Sequence, residues 1–452
     1  MNIWAWIYFS EYTRIREPQI LLWTLKISHQ TDQPQMSRST EMLSLSSELL
    51  PDNVVFDILT RLPVKSLIRF RCVSQSWNST ITNPIFITKH LDLASSLSDI
   101  NNNGYLLFTP LRNYLPLDPS SSKEWTTFVY NTNRTLTQIS RFEIPLQHFI
   151  IGFCNGVFCL AANNDDSDEK DLTRSLYLWN PSIRKLKKLL ATRPADRAVF
   201  GFGYHPQNND YKILRVTFAI QQVTRKPAEA EIYTLSTDSW RKAVISVESF
   251  SGSDSGPNGS VDEVYFPTRL CFNGALHFIA FSGDHKFILS FDINDERFRE
   301  ILLPQNYLEG IVKHFERLAM FKGSLALIVF GEDLVEMSDR CYIWMMKEYG
   351  VVESWARKSV PMKQVAEFFS CTINGELLVE RFTPYQSFLF DPDSLNEEIL
   401  NIPMPECMIY TPNFVESLVL LDRWTALPNA KISTLGFLAK ADVFFKFKWT
   451  SH

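Results

Sequence analysis

A repeated pair of sequence patterns, beginning near residue 104, limits most strongly how this chain can fold. One half is a glycine followed by an apolar run, as in GYLLFTP, NGVFCLAA, NGALHFIAF, KGSLALIVF and NGELLVERF. The other half is a hairpin that turns on small polar residues. These turns are about 45 to 55 residues apart, a period typical of propeller blades. They lie near Asn131, Asn180, Ser236, Asp292, Glu348 and Asp391.

Alternation within SLYLWN places Leu176 and Leu178 on one strand face and Tyr177 and Trp179 on the other. Both faces are apolar, as expected for strands stacked between neighbouring sheets. We therefore predict a large, mostly-β domain that is β-propeller-like with about six irregular blades, since radial closure removes long exposed edges. A β-sandwich is the alternative. One unit, FGFGYHPQNNDYKILRV, departs from the glycine pattern, and a Gly/Ser-rich insertion, SFSGSDSGPNGS, follows its hairpin.

A compact helical segment precedes these strands. Val55, Ile58, Leu59 and Leu62 recur at i, i+3, i+4 and i+7, which predicts one apolar stripe on a helix. Pro63 then ends this helix, because proline lacks the N–H and disfavours helical angles at the residue before it.

Two more short helices are predicted after this break. The second carries Val64, Leu67, Ile68 and Phe70, and Ser74 can cap a third that contains Trp77 and Ile81. Asn83-Pro84 is a stop signal. Three helices in so short a segment cannot bury all their apolar surface by themselves, so we expect something else to cover part of it.

The segment ELLPDNVVFDILTRLPVKSLIRFRCVSQSWN resembles the plant F-box in its opening Leu-Pro, its ILTRLPVKSLIRFR centre and its CVSQSWN close. The resemblance implies a small all-α, three-helix domain that docks onto the Skp adaptor and, through it, a cullin-RING ubiquitin ligase. The alternative is that these residues form only the core of a helical hairpin. The residues that the resemblance assigns to the adaptor-binding surface, or to its shape, are Leu50, Pro51, Ile58, Leu59, Leu62, Pro63, Leu67, Val73 and Trp77.

Five later fragments resemble the F-box-associated domain that follows plant F-boxes, including the S-locus and F-box/kelch-repeat kinds. They are GFCNGVFCL, LWNPSIRKLKKL, FGFGYHPQNNDYKILRV, IYTLSTDSWRKA and FVESLVLL, and they occur in the family's order. We therefore divide the chain as follows: a poorly ordered extension at 1–42, the F-box at 43–90, a linker at 91–103, the F-box-associated domain at 104–421 and a tail at 422–452. Met36 and Met42 lie just before the F-box and are possible alternative starts.

Composition argues against two classes of partner. The formal charge of −5 comes from 45 basic and 50 acidic residues spread along the chain, which predicts no nucleic-acid partner. MNIWAWIYFS and ILLWTLKI are too short to span a bilayer, so no membrane association is expected.

The seven cysteines are odd in number and contain no Cys-x-x-Cys pair, which favours reduced thiols in the cytoplasm or nucleus.

The sequence predicts no catalytic site, metal site or cofactor. The eight histidines are scattered without metal-ligand spacing, and GSDSG has Asp254 where a nucleophile elbow needs serine.

The acidic run at 163–171 is interpreted as a solvated connection, with a recognition loop as the alternative. RKLKKL at 184–189 predicts a strand with a wet face or, alternatively, a contact for an acidic target. His205, with Tyr204 and Asp210, is interpreted as part of the scaffold rather than a recognition turn.

The leading hypothesis is therefore a non-catalytic substrate receptor of an SCF-type ubiquitin ligase. Its head would bind the Skp adaptor, and its body would hold an unidentified target protein for ubiquitination. The first alternative is a non-degradative protein- or glycan-binding propeller module, and the second is a propeller enzyme. Substrate-binding residues cannot be assigned from the sequence.

Overall fold

The computed structural model describes most of the chain between residues 51 and 421. The described ranges are 51–100, 104–110, 123–130, 136–144, 148–163, 174–189, 197–218, 227–249, 261–402, 405–411 and 415–421. Within them, helices come first and are followed by strands arranged in six sheets.

Within the described residues, the helical head contains four helices, and local sequence explains where each begins. They are α1 (Asp52–Thr60), α2 (Val64–Phe70), α3 (Gln75–Thr82) and α4 (Pro84–Ile100). Pro51 and Pro63 have extended backbones immediately before α1 and α2. The Ser74 hydroxyl accepts a hydrogen bond from the Trp77 N–H at 3.1 Å and so caps α3, as the sequence predicted. The Asn83 side chain accepts one from the Ile85 N–H at 2.8 Å at the start of α4.

The fourth helix was not predicted from the sequence. Asn83-Pro84 ends α3, but Pro84 is also the first residue of α4, a position where proline is tolerated because its missing N–H has no helical partner. Residues 91–100, which belong to the predicted linker, continue this helix. Phe86, Ile87 and Leu91 are buried against the rest of the head.

The strands in the described residues form six sheets, which are antiparallel except for one edge strand of blade 4. Blade 1 contains β1 (Gly104–Pro110), β2 (Lys123–Tyr130) and β3 (Leu136–Ile144). Blade 2 contains β4 (His148–Cys154), β5 (Val157–Asn163), β6 (Arg174–Asn180) and β7 (Lys185–Lys188). Blade 3 contains β8 (Arg197–His205), β9 (Asp210–Phe218), β10 (Glu229–Thr234) and β11 (Ser239–Ala243).

The remaining blades follow the same order. Blade 4 has an unpredicted parallel edge strand, β12 (Val247–Ser249), beside β13 (Glu263–Phe272), β14 (Ala275–Ser282), β15 (His285–Asp292) and β16 (Phe298–Leu302). Blade 5 contains β17 (Ile311–Phe321), β18 (Ser324–Asp333), β19 (Ser338–Met346), a 3₁₀ turn (Val352–Ser354) and β20 (Trp355–Pro361). Blade 6 contains β21 (Val365–Cys371), β22 (Leu377–Phe382), β23 (Tyr385–Phe390) and β24 (Glu397–Ile399).

The last strand closes the ring. β25 (Pro405–Thr411) pairs antiparallel with β1 and becomes the first strand of blade 1, with Leu107 opposite Ile409. The first strands of adjacent blades contact one another around the axis, from β4 through β8, β13, β17 and β21 to β25. A six-bladed propeller is therefore confirmed, and the β-sandwich alternative is wrong.

An apolar cluster fills every interface between neighbouring blades. Leu176 and Leu178 face the interface of blades 2 and 3, whereas Trp179 faces that of blades 1 and 2, which confirms the predicted alternation. Buried residues that represent the six interfaces, from blades 1 and 2 around to blades 6 and 1, are Phe158, Tyr233, Phe278, Tyr342, Phe388 and Leu389.

The recurring glycine marks the turn between the first and second strands of a blade. In blades 2 and 5, Asn155-Gly156 and Lys322-Gly323 have positive φ at both residues, as a type I′ hairpin turn requires. Blade 3 is the unit that lacks this glycine. There, Asn209 adopts the left-handed conformation instead (φ 49°), which asparagine tolerates better than most residues.

Several predictions concern residues outside the described ranges. They are the extension at 1–42, Leu50, residues 164–171 of the acidic run, the GSDSG motif and the tail at 422–452.

Acid is expected to destabilise the propeller through His277, which joins blades 4 and 5. Its Nε2 lies 2.8 Å from the Tyr349 hydroxyl, and burial lowers the pKa of His277 from 6.5 to about 4. The unfolded chain then binds the proton more tightly, so the contribution of neutral His277 is complete above pH 6.5 and is lost as the pH falls to about 4. Between pH 7 and pH 4, we expect the free energy of unfolding in urea to fall by about 2 to 3 kcal/mol more for the wild type than for His277→Gln. Equal losses would contradict this assignment.

Candidate functional site: the helical head and its junction with the propeller

The structure separates the predicted adaptor-binding residues by burial. Leu59 and Leu67 are fully buried, so they shape the head from inside. Pro51 and Pro63 are exposed. The residues of intermediate exposure are Ile58, Leu62, Val73 and Trp77.

Those four residues differ in what they pack against. Leu62 and Trp77 contact the buried cluster of the head, whereas Ile58 and Val73 are not part of it. Ile58, Val73 and the two prolines are therefore the predicted residues best placed to meet a partner. Sequence reasoning missed Ile85, which is 71% exposed at the start of α4. Its only signal was an apolar residue directly after the Asn-Pro break.

Aromatic contacts and a buried histidine hold the helices of the head together. Phe56 meets Phe86 edge-on with ring centroids 5.3 Å apart, and Phe70 lies 5.4 Å from Trp77. The Nε2 of His90 lies 2.9 Å from the Leu62 carbonyl oxygen, next to the break that Pro63 creates. Burial lowers the pKa of His90, so the ring is neutral at pH 7 and donates from Nε2 to this carbonyl. Helix α4 thus fixes the turn between α1 and α2.

A short segment after the last strand joins the head to the propeller. We call residues 415–421 the bridging segment. Val415, Leu418 and Leu420 share one buried cluster with Leu67 of the head and Leu178 of blade 2. This cluster continues the interface between blades 2 and 3, so it supplies the additional apolar cover that the sequence predicted the head would need.

Asn180 holds the bridging segment by its side-chain amide. The residue is fully buried, and its Nδ2 donates to the carbonyl oxygens of Ser417 at 2.9 Å and Val419 at 2.8 Å. Its Oδ1 accepts from the Ser182 N–H at 2.9 Å. Asn180, which lies in the LWNPSIRKLKKL fragment, therefore holds the bridging segment against blade 2.

Charged and polar groups complete the junction. The Glu416 carboxylate accepts from the Val64 N–H at the start of α2, although burial raises the pKa of this glutamate. The Asn209 amide of blade 3 donates to the Thr88 hydroxyl of α4. Lys185 of blade 2 lies near enough to Arg71 of the head that burial and then this like charge lower the pKa of the lysine.

The turn that contains His205 serves the same junction. Tyr204 donates from its hydroxyl to Asn209 at 2.8 Å, and Asn209 contacts the head. Asp210 is buried and accepts from the Tyr211 and Ser236 N–H groups. These contacts support the scaffold interpretation of the turn. In the RKLKKL strand, Leu186 packs towards blade 1 and Lys188 is exposed. The Lys187 side chain is only 10% exposed and pairs with Asp238 of blade 3 at 2.8 Å, so the predicted wet face of this strand contacts blade 3 instead.

Among the described residues, no group of three or more His, Cys, Asp or Glu side chains is placed to hold a metal ion. None of the described helices combines the length and the apolar character needed to cross a bilayer.

Two family models match the two parts of this architecture. A model of the F-box domain matches residues 48–89, and a model of the F-box associated beta propeller domain matches residues 117–399. The chain is an F-box protein with an F-box-associated propeller. Both resemblances identified from the sequence are therefore confirmed.

Relatives of this F-box protein occur in Arabidopsis thaliana. F-box protein At3g07870 is 30% identical over 334 residues, which are 69% of this chain and 72% of the relative. F-box/kelch-repeat protein At3g23880 is 28% identical over 316 residues, which are 68% of this chain and 78% of the relative. Among solved structures, TolB from Acinetobacter baumannii aligns with 73% of each chain at 9% identity and a TM-score of 0.39, a likeness too remote to bear on function.

Proposed function

We propose that this F-box protein is a substrate receptor of an SCF-type ubiquitin ligase. The observation that carries the proposal is the F-box head, in which Pro51, Ile58, Pro63 and Val73 are partly or fully exposed and the buried cluster includes neither Ile58 nor Val73. In this proposal, these four residues contact the Skp adaptor, and Leu59 and Leu67 hold them in position from inside the head. The adaptor connects the chain to the cullin-RING ligase.

The propeller contributes by holding the target. Proximity is the proposed mechanism, because fixing receptor and target together converts a bimolecular encounter into an effectively intramolecular one. The chain itself supplies no catalytic group to ubiquitin transfer. The bridging segment supports this role, since it attaches the head to blades 2 and 3 through a shared apolar cluster rather than through a free linker.

The test is binding of the purified full chain to a purified Skp adaptor, measured by calorimetry. A saturable one-to-one complex is the expected result. A folded chain that shows no binding would overturn the receptor proposal. The propeller would then be studied as a stand-alone protein- or glycan-binding module.

A further inference from the structure

The turn between β22 and β23 of blade 6 lies on the propeller face opposite the head. Turns that contact the head or the bridging segment follow the first or third strand of a blade, as at Gly156, Ser182 and Asn209. Successive turns of an antiparallel blade alternate between the two faces. Because the β22–β23 turn follows a second strand, it opens on the other face.

Three cross-strand pairs share one side of this hairpin, which is the side turned towards blade 1. Side chains alternate along a strand, so the pairs at every second position line the same side. Leu378 and Leu389 form the innermost pair and belong to the cluster between blades 6 and 1. The next two pairs towards the open end are Glu380 with Ser387, and then Phe382 with Tyr385.

The middle pair contains two buried polar atoms without a hydrogen-bond partner. Glu380 is 8% exposed and Ser387 3%, and neither Glu380 Oε1 nor Ser387 Oγ is hydrogen-bonded. Glu367 of β21 lies opposite Glu380 in the sheet register, and burial followed by this second carboxylate raises the pKa of Glu380. Buried polar groups are rarely left unsatisfied, and a buried carboxylate near another one favours a cation.

The nearby arginines are already engaged. Arg317 of blade 5 donates to Glu367 at 3.1 Å. Arg381 donates to Glu397 at 2.6 Å and lies 4.5 Å from the centre of the Phe388 ring, on the side of the hairpin turned towards blade 5. Glu380 is therefore left without a cationic partner among these groups.

An aromatic pair stands at the open end of this arrangement. Phe382 is 52% exposed and Tyr385 60%, and their ring centroids are 6.3 Å apart in an edge-to-face orientation. Exposed aromatic faces attract ammonium and guanidinium groups and also cover aliphatic stems. From the solvent inward, the aromatic pair of Phe382 and Tyr385 therefore comes first. The Glu380 carboxylate and the Ser387 hydroxyl come next, and the apolar pair of Leu378 and Leu389 lies deepest.

We propose that Phe382, Tyr385, Glu380 and Ser387 form a recognition site for a lysine or arginine side chain of the target polypeptide. The side-chain stem lies against the aromatic pair. Its charged group donates to the Glu380 carboxylate and to Ser387 Oγ. This assignment rests on the proposed receptor function only in calling the bound polypeptide a target.

The test uses the full chain and a displayed library of random dodecapeptides as the probe. We expect the wild-type protein to enrich peptides with a basic residue at one fixed position, and expect Glu380→Gln and the double variant Phe382→Ser/Tyr385→Ser to lose that enrichment. Glu309→Gln is the matched control, because it removes an exposed carboxylate elsewhere on the propeller. This variant is expected to enrich the same basic peptides as the wild type. Replacing the selected residue by norleucine should weaken binding of the synthetic peptide to the wild type at least tenfold, with little effect on the Glu380→Gln variant.

Four results would overturn the site. The first is that the selected peptides show no preference for a basic residue, and the second is that Glu380→Gln selects basic residues as strongly as the wild type does. The third is a melting temperature of Glu380→Gln below that of the wild type. The fourth is that free N-acetylarginine amide binds the wild type as tightly as the peptide does. The third would make Glu380 a structural group, and the fourth would assign the site to a small cation. Adaptor binding is measured on the same preparations, so failure of the receptor proposal is seen separately from failure of this site.

Discussion

Replacing Ile58 and Val73 together by aspartate is expected to weaken binding of the Skp adaptor at least about 100-fold, equivalent to about 3 kcal/mol. Both side chains are partly exposed and lie outside the buried cluster of the head, so the folded chain can accommodate the carboxylates in water. In an apolar contact with the adaptor, the same carboxylates would be buried without a partner. Calorimetry with the full chain measures the change.

The matched control is Ile399→Asp with Val244→Asp, which makes the same chemical changes at exposed propeller positions. This control is expected to bind the adaptor like the wild type. Unchanged binding by the Ile58 and Val73 variant would show that the adaptor meets a different surface of the head. Aspartates at Leu62 and Leu67 would be a poorer test, because Leu67 is 0% exposed and its replacement would unfold the head.

Gly156→Ala is expected to destabilise the chain by about 2 kcal/mol more than Gly323→Ala. The two glycines have nearly the same backbone, with φ of 77° and 78°, in equivalent turns of blades 2 and 5, so each alanine carries a similar backbone strain. A Cβ at Gly156 would lie 2.5 Å from the Val415 carbonyl oxygen and 2.7 Å from Ser417 Cβ, whereas one at Gly323 meets nothing within 4 Å. Only the first alanine would push against the bridging segment.

Unfolding in urea gives the difference in stability, and amide hydrogen exchange locates it. Exchange in residues 415–421 should accelerate in Gly156→Ala and stay unchanged in Gly323→Ala. Equal destabilisation by the two alanines would mean that the bridging segment does not press on blade 2 in solution.

The junction also has a consequence for how a target is held. The bridging segment and the turns of blades 2 and 3 attach the head to one face of the propeller. The proposed basic-residue site opens on the other face. If both proposals hold, the propeller is a rigid spacer that holds the target away from the adaptor by the thickness of a blade.

The local signals in the sequence were sufficient for the first three helices of the head and for a propeller of about six blades. Prolines at 51 and 63 and Ser74 determine where helices begin, because they act on the backbone within one turn. The Asn-Gly turns and the alternation in SLYLWN act in the same local way, and they predicted hairpins whose two faces are both buried. The helix at 84–100 was missed because Pro84 is a stop for one helix and an acceptable first residue for the next.

The sequence by itself determined a small helical head, which resembles an F-box, followed by a propeller-like body of about six blades, because helix starts, hairpin turns and strand alternation depend on residues close together in the chain. Only the tertiary structure decided which residues of the head are exposed, and that Asn180 binds Ser417 and Val419, which follow it by 237 and 239 positions. It also decided that Glu380 Oε1 and Ser387 Oγ are buried without a hydrogen-bond partner. These features depend on which surfaces meet after the ring closes. Burial and hydrogen bonding between segments that are distant in the chain leave no periodic pattern in the sequence.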